Sequence, residues 1–349
     1  MSRFAKGFQY NVITTIVFLF LALGFSSGVF ADQDMDVESQ STDSIVKDSL
    51  PSKTFTRPRP FKWVTNLPHD YALFGRKVVK KGNEKYVAII AASTAALIIY
   101  DQELLDGSKE FAKTINLSAD NNNLKIVNWS VKVGKSSLPL PVYLPANLNT
   151  AFYFQGDGFT HMSIIAGFWG YGLINKDNRS LQTASQLLES LFAGGLATQF
   201  LKHITGRESP YVSSRSGGRW KFFPNQGEYS KHVPHYDAFP SGHLATFIGA
   251  VTIISNNYPE SRLIKPIGYG MSSLLMFSMM NNGVHWTADY PLGFAIGYTL
   301  GNLISKRSEV VSDHVQSHTE ILLKKIKPGM ILPYGTGAAS GISMYWNIN

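Results

Sequence analysis

Six apolar stretches, separated by polar loops, set the pattern of the chain: Val87 to Tyr100, Thr160 to Ile174, Leu187 to Ile204, Leu244 to Ile254, Ile267 to Met280 and Asp289 to Ile304. Each runs about eleven to eighteen residues, a length that favours helix over strand. Gly, Ser, Thr or Asn interrupt most of them. None supplies the run of about twenty apolar residues that a bilayer span asks for. The pattern therefore predicts an all-α protein, a bundle of about six core helices, in preference to six membrane spans. In the last stretch Gly293, Gly297 and Gly301 recur at every fourth position. That spacing puts them on one helix face, where missing side chains let a neighbouring helix come close.

The flanks carry a different pattern. Arg3 and Lys6 precede an apolar run from Val12 to Phe25, and small residues around Val29 to Ala31 follow. That order predicts a signal peptide over residues 1–31 and hence an exported protein, periplasmic or membrane-associated. Residues 32–82 read as a leader and linker, first rich in Ser, Asp and Thr, then basic and broken by Pro58 and Pro60. The core domain is expected over residues 83–306 and a tail over 307–349, whose end from Gly341 to Ile348 alternates in the manner of a strand. Asp101-Gln102 is expected to end the first apolar helix, and the Asn-rich residues 116–128 read as a loop.

Composition changes this picture in two ways. The net charge of +8 suits anionic partners such as phosphates and acidic lipid headgroups. No basic block alternates with aromatics, so nucleic acid is not among the expected partners. Cysteine is absent, which excludes disulfides, thiolate metal sites and a cysteine nucleophile.

Candidate chemistry lies in three polar clusters. The first is Lys202 to Pro210, with Lys202 at a predicted helix end, where a cation answers the dipole, and Arg207 in the loop after Gly206. The second is Pro240-Ser241-Gly242-His243, placed to start a helix whose free N–H groups can hold an anion. The third is His285 with Asp289, four residues apart and within reach of one another on a helix. An Asp bonded to one imidazole nitrogen fixes the tautomer and leaves the other nitrogen free as a nucleophile. The same spacing could serve a metal, but no further ligands lie nearby in the sequence. Taken singly, each cluster is also explained by an ordinary cap or surface pair. His161, His232 and His235 read as structural or surface residues.

Together, in this order and at these separations, the clusters resemble the signature of the type 2 phosphatidic acid phosphatase (PAP2) superfamily, which includes bacterial acid phosphatases and vanadium haloperoxidases. The resemblance extends over about Tyr86 to Lys306. It implies hydrolysis of a phosphomonoester, on a phosphorylated small molecule or a lipid phosphate, with a membrane surface as a further partner. It also implies a mechanism without metal or cofactor. His285 would be the nucleophile, Asp289 its orienting partner and His243 the acid for the leaving group. Lys202, Arg207, Ser241 and Gly242 would bind the phosphate.

Two positions depart from that signature. Where it has arginines that hold phosphate oxygens, this chain has Ser209 and Met279. Replacement charge is sought in Arg207, or in Arg215, Arg219 or Lys221 of the basic insert between the first two clusters. The alternative is a catalytically degenerate domain that binds phosphorylated ligands or acts structurally in the cell envelope. A haloperoxidase fits less well, because vanadate depends even more on the arginines.

Overall fold

The computed structural model describes residues 55–133, 136–307, 326–336 and 339–348. The expected signal peptide and the acidic leader lie outside these residues. The chain divides into two compact units, and the described part of the first runs from residue 56 to residue 307. It is a helical bundle of α1 (Lys62–Val79), α2 (Glu84–Thr114), α3 (Leu148–Phe154), α4 (Gly158–Ile174), α5 (Asn178–Thr205), α6 (Gln226–Lys231), α7 (Gly242–Asn257), α8 (Ile264–Asn281) and α9 (Tyr290–Arg307). In the second unit, strands β3 (Ile326–Thr336) and β4 (Ala339–Ile348) form an antiparallel pair, which includes the expected strand at the end of the chain.

Helix α7 is the centre of the bundle, almost wholly buried among α5, α8 and α9. The glycine stripe explains how α9 approaches it. A Cβ on Gly293 would stand 2.6 Å from the Ser241 carbonyl oxygen, and one on Gly297 would collide with that of Ala245. Backbone lies against backbone there, so the two helices hold the second and third clusters in fixed register.

Polar burial lengthens two helices beyond their apolar stretches. Helix α5 begins at Asn178, capped by the Asp177 carboxylate, which accepts from the Arg179 and Ser180 amides. Its first turns are polar yet buried, because Asn257 donates to Thr183 Oγ1 at 2.8 Å and to Gln186 Oε1 at 2.6 Å. Helix α2 does not stop at Asp101 but continues to Thr114. Asp101 is fully buried against Arg207, so it is a paired core residue and not a helix terminator.

Two further expectations are corrected. The leader-and-linker assignment of residues 32–82 fails for its last part, because α1 begins at Lys62, just after Pro60, and packs into the bundle. Tyr71 Oη donates to the Ala193 carbonyl at 2.8 Å, and Arg307 bonds both Asp70 of α1 and Glu189 of α5. The expected loop over residues 116–128 ends in a strand: β1 (Asn123–Val133) pairs antiparallel with β2 (Ser136–Pro145). The alternation Trp129-Ser130-Val131-Lys132-Val133 carries that strand, with a period that a search for helices passes over.

One described helix, α2, is long and apolar enough to cross a membrane by length and composition. Apolar side chains also stand exposed on α4, among them Trp169, Tyr171 and Ile174.

Candidate active site

The three clusters meet through backbone bonds before any side chain is considered. The Ser241 amide donates to the Asp289 carbonyl at 3.0 Å, tying the start of α7 to the third cluster. The Ala238 amide donates to the Arg207 carbonyl at 2.9 Å, and Thr205 Oγ1 donates to the Phe239 carbonyl at 2.9 Å, tying the first to the second. Gly206 ends α5 in the left-handed region, φ 54°, where a Cβ would collide with the Lys221 carbonyl. Glycine is thus required for the chain to turn from Lys202 into the Arg207 loop.

His285 and Asp289 do touch, but not across a turn of α-helix. A 3-10 turn over Thr287–Asp289 precedes α9 and brings the Asp289 carboxylate back beneath the ring. His285 Nδ1 lies 3.2 Å from Asp289 Oδ2, and both residues are buried. The same oxygen accepts from the Trp286 amide at 2.8 Å. The His243 ring lies 6.3 Å from that of His285, centroid to centroid, at 69°. Tyr153 of α3 also packs on His243, with ring centroids 4.7 Å apart. Lys202, nearly buried on the last turn of α5, pairs with Asp237 at 3.7 Å.

Arg207 has a different place from the one expected. It is fully buried, and both of its amino groups are engaged by acceptors of the protein itself. One amino group donates to Asp289 Oδ1 at 2.6 Å. The other donates to Asp101 Oδ2 at 2.5 Å and to the Gly217 carbonyl at 2.9 Å. Its plane lies between Trp220 and Trp286, 4.7 and 5.3 Å from their ring centroids. Asp101 accepts in addition from the Ala288 amide at 2.9 Å. Asp289 is thereby fixed from behind by a buried guanidinium, itself fixed by a second carboxylate. Burial pushes the Asp101 carboxyl above its ordinary range, with Arg207 pulling the other way.

Ser209 and Met279, the two positions set apart in the sequence, are both buried. Met279 is fully buried in the apolar core, and its sulfur takes a long 3.8 Å contact from Ser241 Oγ. Ser241 also caps α7, accepting from the Leu244 amide at 3.4 Å. Ser209 is buried, and its amide donates to the Pro234 carbonyl at 2.9 Å. A Cβ on Gly242 would lie 3.2 Å from Thr198 Oγ1, so glycine keeps this turn close to α5. From the insert, Arg219 bonds Ser214 at 3.2 Å and Lys221 lies over the Tyr236 ring at 5.6 Å; neither contact involves the histidines. His232 and His235 lie at the surface beside Glu228 and Glu208.

Residues 183–310 match the model of the PAP2 superfamily. That segment, a little over a third of the chain, is similar to the PAP2 superfamily, and the match supports phosphatase-type chemistry on a phosphate-bearing substrate at the level of the family. No curated protein and no solved structure matches the chain. The matched segment contains Lys202, Ser241, His243, His285 and Asp289, whereas Asp101, Tyr153 and His161 lie before it.

The site thus has electrostatics that the matched segment does not foretell. His243 is lowered to about 3, first by burial and then by the positive charges that His285, Lys202 and His161 can carry. His161 is lowered to about 4 by burial, and its Nε2 is buried without a hydrogen-bond partner. Asp237 adds negative charge beside Lys202 and raises Tyr153, Tyr211 and Tyr229, secondary in each to burial. Sequence reasoning missed Asp101 and Asp237. Asp101 carried a signal, being an acid inside an otherwise apolar helical stretch. Asp237 carried none beyond standing four residues before Ser241. Among the described residues there is no group of three or more His, Cys, Asp or Glu arranged to hold a metal ion.

Proposed function

We propose that the chain hydrolyses phosphate monoesters through a phospho-histidine on His285, with lipid phosphates of the phosphatidate type among its substrates. The observation that carries this reading is the hold on His285: Nδ1 lies against Asp289, which leaves Nε2 as the nitrogen able to attack phosphorus. As the P–N bond forms, the ester P–O bond breaks, and the leaving oxygen takes a proton from His243. His243 then removes a proton from water, the hydroxide attacks phosphorus, and the P–N electron pair returns to His285. The products are the alcohol and inorganic phosphate. Lys202 and the amides at the start of α7 stabilise charge on the equatorial oxygens, and no metal is required for that role. Asp101 and Arg207 act through Asp289 as positioning residues.

His243 must be protonated to serve as the acid, yet burial and the neighbouring cations depress it strongly. A phosphate dianion between the rings reverses the local sign and raises His243, so that its ring takes up from solvent the proton that the leaving group needs. Expected export and membrane association follow from the residues before position 32 and from the apolar surface of α2.

The Lys202–Asp237 pair favours one second reading, a degenerate domain that retains phosphate weakly without turnover. The deciding experiment is an alkaline-quench trap on the purified protein with a labelled phosphomonoester. Acid-labile, base-stable label on His285, lost in His285→Ala together with turnover, supports the enzyme. Equal turnover in the parent and His285→Ala would overturn it.

A further inference from the structure

A groove of about 1090 Å³, with neither His243 nor His285 in its lining, lies among α1, the turn after it, α2 and α9, with Phe239 of the second cluster's loop as a further wall. That is slightly above the roughly 300–1,000 Å³ typical of small-molecule sites. Along α2 it runs from Asn83 to Ile98, about 22 Å at the rise of an α-helix. One leaflet of a bilayer has a hydrocarbon depth of about 15 Å, so an acyl chain fits lengthwise. The walls are largely apolar, with Phe74, Val87, Ile90 and Ile98 facing Leu292 and Ile296. Thr94 is the polar residue in the middle of this wall, its Oγ1 buried without a hydrogen-bond partner.

The rim has the opposite character. Arg76, Lys77, Lys80, Lys81 and Lys85 all line it, five cations against the single carboxylate of Glu84 within residues 76–85. Glu84 accepts from the Gly82 amide and is turned into its own loop. The two cations that end α1 are favourable to its dipole, but Lys85 in the first turn of α2 is not. Among the described residues, none of the five enters an ion pair. An apolar slot with a cationic mouth is complementary to an anionic amphiphile. The chain's own apolar run at residues 12–25 suits it less well, since that run is preceded by Arg3 and Lys6.

We propose that this groove binds a single anionic membrane lipid, with an acyl chain between α2 and α9 and the headgroup among the five rim cations. The site is separate from the His243–His285 pair and does not depend on hydrolysis there. Native mass spectrometry of the full chain, released from a neutral detergent, provides the test. Long-chain phosphatidylglycerol should bind one per chain, at least about tenfold tighter than phosphatidylcholine, as the summed attraction of several lysines predicts. Dihexanoyl phosphatidylglycerol should bind markedly more weakly than the long-chain form. Lys80→Glu with Lys81→Glu and Lys85→Glu should erase the headgroup preference. Ala91→Trp, which fills the slot, should cut long-chain binding, and both variants should hydrolyse a water-soluble ester as the parent does. Should Ala91→Trp fail to fold by thermal melting, Ala95→Leu replaces it. Equal binding of the two headgroups, parental affinity in the slot-filled variant, or a photo-crosslink from position 91 to residues 12–25 in place of lipid would each overturn the proposal.

Discussion

Behind Asp289 and in front of His243 lie two regions built on opposite terms. Behind, Arg207 is enclosed by Asp101, Asp289, the Gly217 carbonyl and two tryptophans, and both carboxylates also accept backbone amides. In front, Lys202 is shared with Asp237, and neither Ser209 nor Met279 supplies charge. Orientation of His285, the proposed nucleophile, is thus over-determined, while cationic groups in front of it are sparse. Under the proposed mechanism such a site holds its reacting nitrogen firmly but depends on the proton state of its histidines to keep the substrate.

The largest test asks whether the firmly held side is there for chemistry at all. His285→Ala should lower kcat by about 10⁴-fold or more, read with a chromogenic phosphomonoester, because losing a nucleophile removes the covalent route. Next, Arg207→Met should cost about 3–5 kcal/mol of stability in urea unfolding, since it strands two buried carboxylates. Adding Asp101→Asn should recover part of that loss. If instead Arg207→Met mainly raises KM and leaves stability intact, Arg207 belongs to the anion side and the contrast collapses.

His161 sharpens the contrast through acid stability. Its folded value is lowered to about 4 from 6.5, so the folded state disfavours its proton. The sign follows: stability is full above about pH 6.5 and is lost as pH falls toward 4. His161→Phe should therefore lose less stability than the parent across that window, by up to about 3 kcal/mol in urea unfolding.

The front of the site is tested by anion affinity. Sulfate stays a dianion from pH 8 to pH 5 and should raise the depressed His243, so binding takes up a proton. Its inhibition constant should fall with pH, by at most about tenfold per unit, while the same series in His243→Gln should be flatter. The smallest expected effect is Asp237→Asn, which releases Lys202 and should tighten sulfate by a few fold. Unchanged affinity would mean that Lys202 already serves the anion fully.

Much of the architecture could be read from the pattern alone. The apolar stretches all fall within helices, and the glycine stripe lies where backbone meets backbone. The buried polar positions escaped, since Ser180, Gln182, Thr183, Gln186 and Asp101 look like solvent-facing residues until Asn257 and Arg207 arrive from distant parts of the chain. At the site, His243, His285 and Asp289 could be named from order and spacing, and the structure brings them together. The direction of Arg207 could not, because a loop cation two residues from Ser209 has equal claim to a phosphate or to a carboxylate.

The sequence by itself determined which residues can carry chemistry and which faces must be buried, because side-chain type and helical period are local properties. Only the tertiary structure decided that Arg207 turns inward, that Asp101 lies beneath the site and that Asp237 lies beside Lys202. Charges pair with whatever the fold brings within a few ångströms, and in this chain those partners stand 35 to 106 residues apart.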